Sequence, residues 1–411
     1  MSLSHNRDRV TVTGYIRPPS WPPGASVKIL LALPNYSRVG YLNGSKRYPM
    51  NQLRSFLLST LVLFSSLAGF AQDKTFSIDG KVVDKSGQPL TGASVFCTNT
   101  TFGTLSKNDG SFHLRLANGG YDMVISYTGY ETQSVRIGKD HKDTDTLTIT
   151  LKEQDKSLEQ AVVTGSAQVA DGWAKYGQFF LDNFIGTTPN ASQCVLENKD
   201  VLKFYYYKLR NKLRVKADSP LVITNNALGY RIKYQLDSFV CYYGTNITSY
   251  TGYPLFEEMQ GTPDQQQTWQ QNRLNSYAGS RLHFIRSWYD STLDDEGYVL
   301  ELADSNDNNK MLRVTNPYDP KFYSKDSGDV EINIQGRLRV SYTTQAPDKK
   351  YLAERKFPLT TQVQISAIDI LDGFVIEENG YFYDQSDVTN IGYWSWKKLA
   401  ELLPYDYLPP Q

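Results

Sequence analysis

Apolar and polar residues alternate along Phe76-Ser77-Ile78-Asp79-Gly80-Lys81-Val82, a period-two rhythm that sets one face of a strand on a core and the other in water. The rhythm returns at 93–96, 112–116, 121–127 and 147–151. Ser86-Gly87, Asn108-Asp109-Gly110 and Asn118-Gly119-Gly120 separate these runs, and Asp109-Gly110 suits a turn that needs positive φ. Short strands at this spacing predict a small seven-stranded β-sandwich over residues 72–153.

Past a linker at 154–170 the pattern is mixed, and residues 171–411 read as an α+β domain with a largely antiparallel sheet. Trp173, Phe179, Phe180 and Phe184 recur at near-helical spacing; Trp269, Leu274 and Tyr277, then Leu282, Ile285, Trp288 and Tyr289, predict one or two further helices. Leu202–Tyr207, 213–215, 221–223, 230–234, 239–243 and Gly336–Tyr342 are rich in aromatic and β-branched residues and read as strands. Residues 298–302 and 311–314 flank a hairpin tip at 304–309. Strands at 363–370 and Phe374–Ile376, a turn at Asn379-Gly380 and a closing helix at 394–403 stopped by Pro404 complete the expectation: a mainly β protein.

Ahead of the first strand, Met50-Asn51-Gln52-Leu53-Arg54 is a short positive segment, 56–70 is an apolar run, and Gly69-Phe70-Ala71 supplies small residues. Together they read as a signal peptide over 50–71, cleaved between Ala71 and Gln72. The apolar run is about 15 residues, short of the roughly 20 that span a bilayer, so no transmembrane helix is expected in the mature chain. Residues 1–49, with Pro18-Pro19 and Pro22-Pro23 and no period, read as an upstream extension, disordered or preceding a misassigned start.

Charge changes the picture once that extension is removed. The chain has 43 basic and 43 acidic residues, but residues 1–71 hold 8 basic and 1 acidic, which leaves 35 and 42 and a net charge of −7. A net acidic chain argues against nucleic acid as the main partner. The three cysteines, Cys97, Cys194 and Cys241, make no dense framework; a Cys194 to Cys241 bridge is open in an oxidising compartment, and buried free thiols are the simpler state.

Five motifs in order within the first domain carry a resemblance: Ile78-x-Gly80-Lys81-Val82-Val83-Asp84, Gly87-x-Pro89-Leu90-x-Gly92-Ala93-Ser94-Val95, Gly103-Thr104, Asp109-Gly110-x-Phe112 and Ser126-Tyr127-x-Gly129-Tyr130-Glu131. They resemble the carboxypeptidase-like regulatory domain, which implies a transthyretin-like sandwich of the Gram-negative envelope. Leu158-Glu159-Gln160-Ala161-Val162-Val163-Thr164-Gly165 is similar to the joint after this domain in TonB-dependent outer-membrane receptors. A barrel of about 22 strands at about 10 residues each would take some 220 residues before loops or plug. About 245 residues follow Gly165, and helical stretches interrupt them, so such a receptor is not expected. The resemblance implies export to the periplasm or to an outer-membrane association. Motifs at 227–230, 281–286 and 392–396 resemble uncharacterised domains behind such sandwiches and supply no activity.

The residues oppose a peptidase. Zinc chemistry needs paired ligands, a distant third and a carboxylate base, whereas His113, His141 and His283 are isolated. No Gly-x-Ser-x-Gly elbow is present; Ser395-Trp396-Lys397-Lys398 fits Ser-x-x-Lys without a Lys-Thr-Gly partner and reads as a chance match. The 304–309 run lacks the glycine and the bidentate Glu of a calcium loop. No motif implies a cofactor or a metal.

Arg281, His283, Arg286 and Asp290 fall on one predicted helix and are the candidate surface residues, as a polar pocket or, more simply, a solvated salt-bridged face. Three readings follow. A non-catalytic envelope protein that binds or assembles with an outer-membrane partner leads. A glycan-binding module rests on the 29 tyrosines and six tryptophans, whose simpler use is core packing. A hydrolase would use scattered carboxylates such as Asp290, Asp294, Asp295 and Glu296 in a cleft.

Overall fold

The computed structural model describes residues 75–138, 146–154, 167–245, 247–304, 307–326, 328–383, 385 and 388–410. The signal peptide, its Ala71 and Gln72 cleavage point, the upstream extension, His141 and the receptor-like joint lie outside the described residues.

Seven strands build the N-terminal β domain among the described residues: β1 (Thr75–Val83), β2 (Ser94–Cys97), β3 (Gly103–Leu105), β4 (Ser111–Ala117), β5 (Tyr121–Ser126), β6 (Gln133–Ile137) and β7 (Thr146–Thr150). They form two sheets, β4-β1-β7 and β3-β2-β5-β6. All pairs are antiparallel except β1 with β7. Period-two patterning produces the core: on β4, Phe112, Leu114 and Leu116 are buried while His113 and Arg115 face water. Ile78, Val82, Val95, Cys97, Met123 and Ile125 complete the interior. Gly110 sits at φ +78, the conformation its turn requires.

The α+β domain begins with β8 (Ala167–Gln168), α1 (Gly172–Phe184), β9 (Cys194–Leu196), β10 (Leu202–Tyr207), β11 (Lys212–Ala217), β12 (Leu221–Asn225), β13 (Tyr230–Tyr242) and β14 (Ile247–Glu258). These strands form an antiparallel sheet in the order β8-β10-β11-β13-β12-β9, with β14 along the other edge of β13. The aromatic side of α1 covers one face of that sheet: Phe180 meets Phe239 at 4.9 Å and Phe184 meets Tyr234 at 4.8 Å. One sequence expectation is corrected here, and one strand the sequence pattern did not predict is added. The runs 230–234 and 239–243 belong to one strand, β13, whose register slips between Leu236 and Ser238 in a bulge. β14 carries Gly252 and Pro254, residues that weaken a strand pattern in sequence, and Pro254 is accommodated because it lies at a sheet edge.

Helices α2 (Pro263–Tyr277) and α3 (Arg281–Tyr289) follow. Thr262 and Gln265 close a reciprocal capping box over α2, with Pro263 at its first position. Ser280 caps α3 by accepting the His283 N–H. The chain then forms β15 (Tyr298–Asp304), β16 (Asp307–Arg313), β17 (Tyr323–Asp326), β18 (Asp329–Ile332), β19 (Gly336–Tyr342), α4 (Lys349–Arg355), β20 (Gln364–Ile370), β21 (Phe374–Ile376), β22 (Val388–Gly392) and α5 (Tyr393–Trp396). The two sheets β16-β15-β19-β20-β22 and β17-β18-β21 share a core with α3 through Phe284, Trp288, Leu338, Ile368, Phe374 and Trp394.

The expected closing helix at 394–403 is also corrected: α5 ends at Trp396, and a separate 3-10 turn covers Leu399–Glu401. Lys398 is extended between them (φ −99, ψ −152), which lets its ammonium donate to Asn183 O at 2.9 Å and lets Ala400 N donate to Ile185 O at 3.0 Å. Docking on the end of α1 has overridden local helix propensity.

Candidate functional site

Local sequence places Arg281, His283, Arg286 and Asp290 on α3 and its C-cap, but packing divides them. The expected solvated face does not form: Arg286 and His283 are buried, Arg281 is half-buried, and Asp290 alone of the four is exposed. Arg286 donates from Nε to Asn379 O at 3.1 Å, from Nη1 to Tyr407 O at 2.8 Å and from Nη2 to Tyr405 O at 2.7 Å. Its cation therefore rests on three carbonyl dipoles, which a planar guanidinium can reach at once. Arg281 lies 5.0 Å over the Phe382 ring. Asp290 ends the helix, its N–H donating to Arg286 O at 2.8 Å.

His283 has both ring nitrogens engaged. Gly279 N–H donates to Nδ1 at 3.2 Å, which leaves the proton on Nε2, 3.2 Å from the Glu296 carboxylate. Tyr277, Tyr298 and Tyr342 surround the ring at 4.8, 5.3 and 5.8 Å. Burial holds this imidazole below its usual 6.5, against the upward pull of Glu296. A ring fixed in one tautomer by two partners orients structure and offers no free nitrogen as a base.

Arg286 belongs to a larger polar junction where the β domain meets the α+β domain. The loop after β2 lies along the edge of β14: Asn99 N donates to Pro254 O at 2.8 Å and Phe256 N to Thr100 O at 2.9 Å. The C-terminal tail closes over that loop, with Tyr405 N donating to Asn99 O at 2.6 Å. Thr101 donates to Asp406 from its backbone at 2.9 Å and from its hydroxyl. Burial holds the Asp406 carboxyl above its usual range, with the Thr101 bonds opposing it. At a second contact, Asn379 Nδ2 donates to Gly120 O at 3.0 Å, Asn118 Nδ2 to Glu378 at 2.7 Å and Tyr381 OH to Asp122 at 2.9 Å. The Asn118-Gly119-Gly120 turn is thus also a docking point. A Cβ on Gly120 would stand 2.7 Å from the Tyr381 ring.

Two cavities lie near these elements. One of about 250 Å³ at the junction is lined by Tyr230, Glu258, Arg273, Asp406 and Tyr407. There the Arg273 guanidinium stacks 3.9 Å over Tyr230, donates from Nη1 to Glu258 at 2.9 Å and donates to Leu228 O and Gly229 O. The larger cleft, about 1060 Å³, opens where β16, β19 and β20 meet the 315–322 segment. Leu302, Leu312 and Phe322 form apolar wall, and Arg313, Lys321 and a bidentate Arg337–Asp369 pair at 2.7 Å supply charge. Its volume suits a small-molecule ligand. Phe322 is its one aromatic side chain among the described residues.

The remaining candidates separate. Ser395 Oγ donates to Gly392 O at 2.9 Å while Lys398 reaches Asn183, so Ser-x-x-Lys makes no dyad. Among the described residues, no group of three or more His, Cys, Asp or Glu side chains could hold a metal ion. The three thiols are free; Cys97 and Cys241 are buried, and burial pushes half-buried Cys194 up to about 12. Tryptophans 269, 288, 394 and 396 are buried in cores. Sequence reasoning missed Asn379, Tyr405, Asp406 and Tyr407 as site residues; only the Asn379-Gly380 turn signal pointed there.

Comparison with known proteins agrees with the first domain. Residues 78–163 match the family model of the CarboxypepD_reg-like domain. The TonB-dependent receptor SusC of Bacteroides thetaiotaomicron is 34% identical over 107 residues, covering 26% of this chain and 10% of that protein. TonB-dependent receptor P39 of Formosa agariphila is 33% identical over 105 residues, again 26% of this chain and 10% of the relative. The chain thus spans about a tenth of the length of these curated relatives. Among solved structures, 3-chlorocatechol 1,2-dioxygenase from Rhodococcus opacus is similar at TM-score 0.17 and 13% identity, over 20% of this chain and 62% of that one. A DUF3823 family protein from Bacteroides ovatus is similar at TM-score 0.16 and 11% identity, over 46% and 83%. Likeness this weak carries no argument. No described helix is long and apolar enough to cross a membrane.

Proposed function

We propose that this chain, with a CarboxypepD_reg-like domain of the kind also found in SusC-type receptors, is a non-catalytic binding or assembly protein exported to the Gram-negative envelope, where it engages an outer-membrane partner. The observation that carries the reading is the use of the polar side chains. Arg286 ties α3 to the tail and Thr101 ties the β domain to Asp406 of the tail, while Arg273 and His283 spend their donors and acceptors within the α+β domain. A joined two-domain body with its reactive groups so committed suits presentation of surface, and the cleft beside Arg313 and Arg337 is its candidate ligand pocket. A glycan reading has little support from the aromatic residues, since Trp269, Trp288, Trp394 and Trp396 are buried, Trp173 packs against a core, and the cleft holds Phe322 alone among described rings.

The test is crosslinking in whole cells of a tagged protein expressed from Met50, followed by mass spectrometry of the envelope fraction. Recurrent capture of one outer-membrane protein, with a mature N-terminus at Gln72, is the expected result. A protein recovered unprocessed or without a recurrent partner overturns the reading.

A further inference from the structure

At the end of β13 far from Arg273, the molecule presents cations in a different setting. The strand register aligns Tyr207, Lys212, Tyr242 and Ile247 in one row across β10, β11, β13 and β14. The Lys212 ammonium lies 4.8 Å from the Tyr207 ring and 5.7 Å from the Tyr242 ring. Beyond that row the β10–β11 turn, Lys208–Arg210, projects Leu209, which is fully exposed; Tyr242 and Ile247, at the facing ends of β13 and β14, are exposed as well. Residues 202–217 carry six basic side chains and no acidic one, and residues 239–253 carry no charge. Lys203 pairs with Asp218 at 3.5 Å. Lys208, Arg210, Lys212 and Arg214 have no carboxylate partner among the described residues.

We propose that this pole docks on an anionic lipid surface. Charge complementarity identifies an anionic partner, and the aliphatic side chains identify lipid. A soluble polyanion would pair with the cations yet gain nothing from Leu209 or Ile247. An interface that is negative at its headgroups and apolar just below satisfies both, with the tyrosine rings between. Each cation near such a surface strengthens binding about fivefold, so three should contribute about a hundredfold. The inference is independent of the outer-membrane partner reading, because lipid binding by purified protein can succeed where partner capture fails.

The test is flotation of the full chain with vesicles of phosphatidylcholine alone or mixed with phosphatidylglycerol. The apolar run at 56–70 can engage either vesicle, so the readout is the difference between native chain and variants. Binding to the anionic vesicles should fall about a hundredfold in the combined Lys208→Ser, Arg210→Ser, Lys212→Ser variant. Leu209→Trp should show a blue-shifted emission with anionic vesicles and none with heparin. Unchanged binding in the triple variant, or an unshifted Leu209→Trp emission, overturns the proposal. Binding to heparin that matches vesicle binding and ignores Leu209→Ser assigns the pole to a soluble polyanion and overturns it equally.

Discussion

Arg286 and Arg210 carry the same guanidinium into opposite circumstances. Arg286, at the junction, is buried and donates to three backbone carbonyls from two separate segments. Arg210, on the far turn of the seven-stranded sheet, lies between a fully exposed leucine and a left-handed Asn211, with no carboxylate partner among the described residues. The difference teaches where architecture ends and availability begins. A buried cation held by three backbone carbonyls is a structural element; an exposed cation beside unburied aliphatic residues is open to a partner.

The largest expected effect tests the junction. Arg286→Ala leaves three buried carbonyls without their donor and should cost about 3 kcal/mol or more in urea unfolding. A change as small as that of a surface substitution would erase the contrast. Gly120→Ala places a methyl 2.7 Å from Tyr381 and 2.9 Å from Glu377, so overpacking should cost about 1–3 kcal/mol and open the docking turn to limited proteolysis.

A smaller effect concerns His283. Its pKa is depressed by burial, so the folded state binds fewer protons than the unfolded one between the depressed value and 6.5. Its contribution is present above 6.5 and lost as pH falls through the depressed value. His283→Phe should remove that slope from unfolding midpoints measured across the window; a slope that persists assigns it to another group. The smallest effect belongs to the tip: Arg210→Ala should alter stability by no more than about 0.5 kcal/mol in the same urea assay, and a larger loss would make the tip a structural element too.

Legibility followed the range of the forces involved. In the β domain, alternation on β4 and the Asp109-Gly110 turn are local signals, and the strands stand where those signals are. In the α+β domain, α1 was legible from its aromatic period, whereas β14 was hidden by Gly252 and Pro254 and the closing helix was shortened by docking on α1. The candidate residues on α3 were found by type, but their use was not: the partners of Arg286 lie 93, 119 and 121 residues away in sequence. No spacing rule reaches that far.

Side-chain periodicity and turn chemistry were enough to specify a β domain followed by an α+β domain, because both act between neighbours in the chain. The six basic residues without an acid in 202–217 stand in the sequence, but they carried no reading until the fold set them at a sheet end. Whether a charge is buried or presented depends on which distant backbone arrives beside it. The Asn379 turn and the C-terminal tail arrive at Arg286 and enclose it, whereas Lys208–Arg210 stands exposed at a sheet end. Burial sums over the whole packed chain, and that sum was settled in three dimensions.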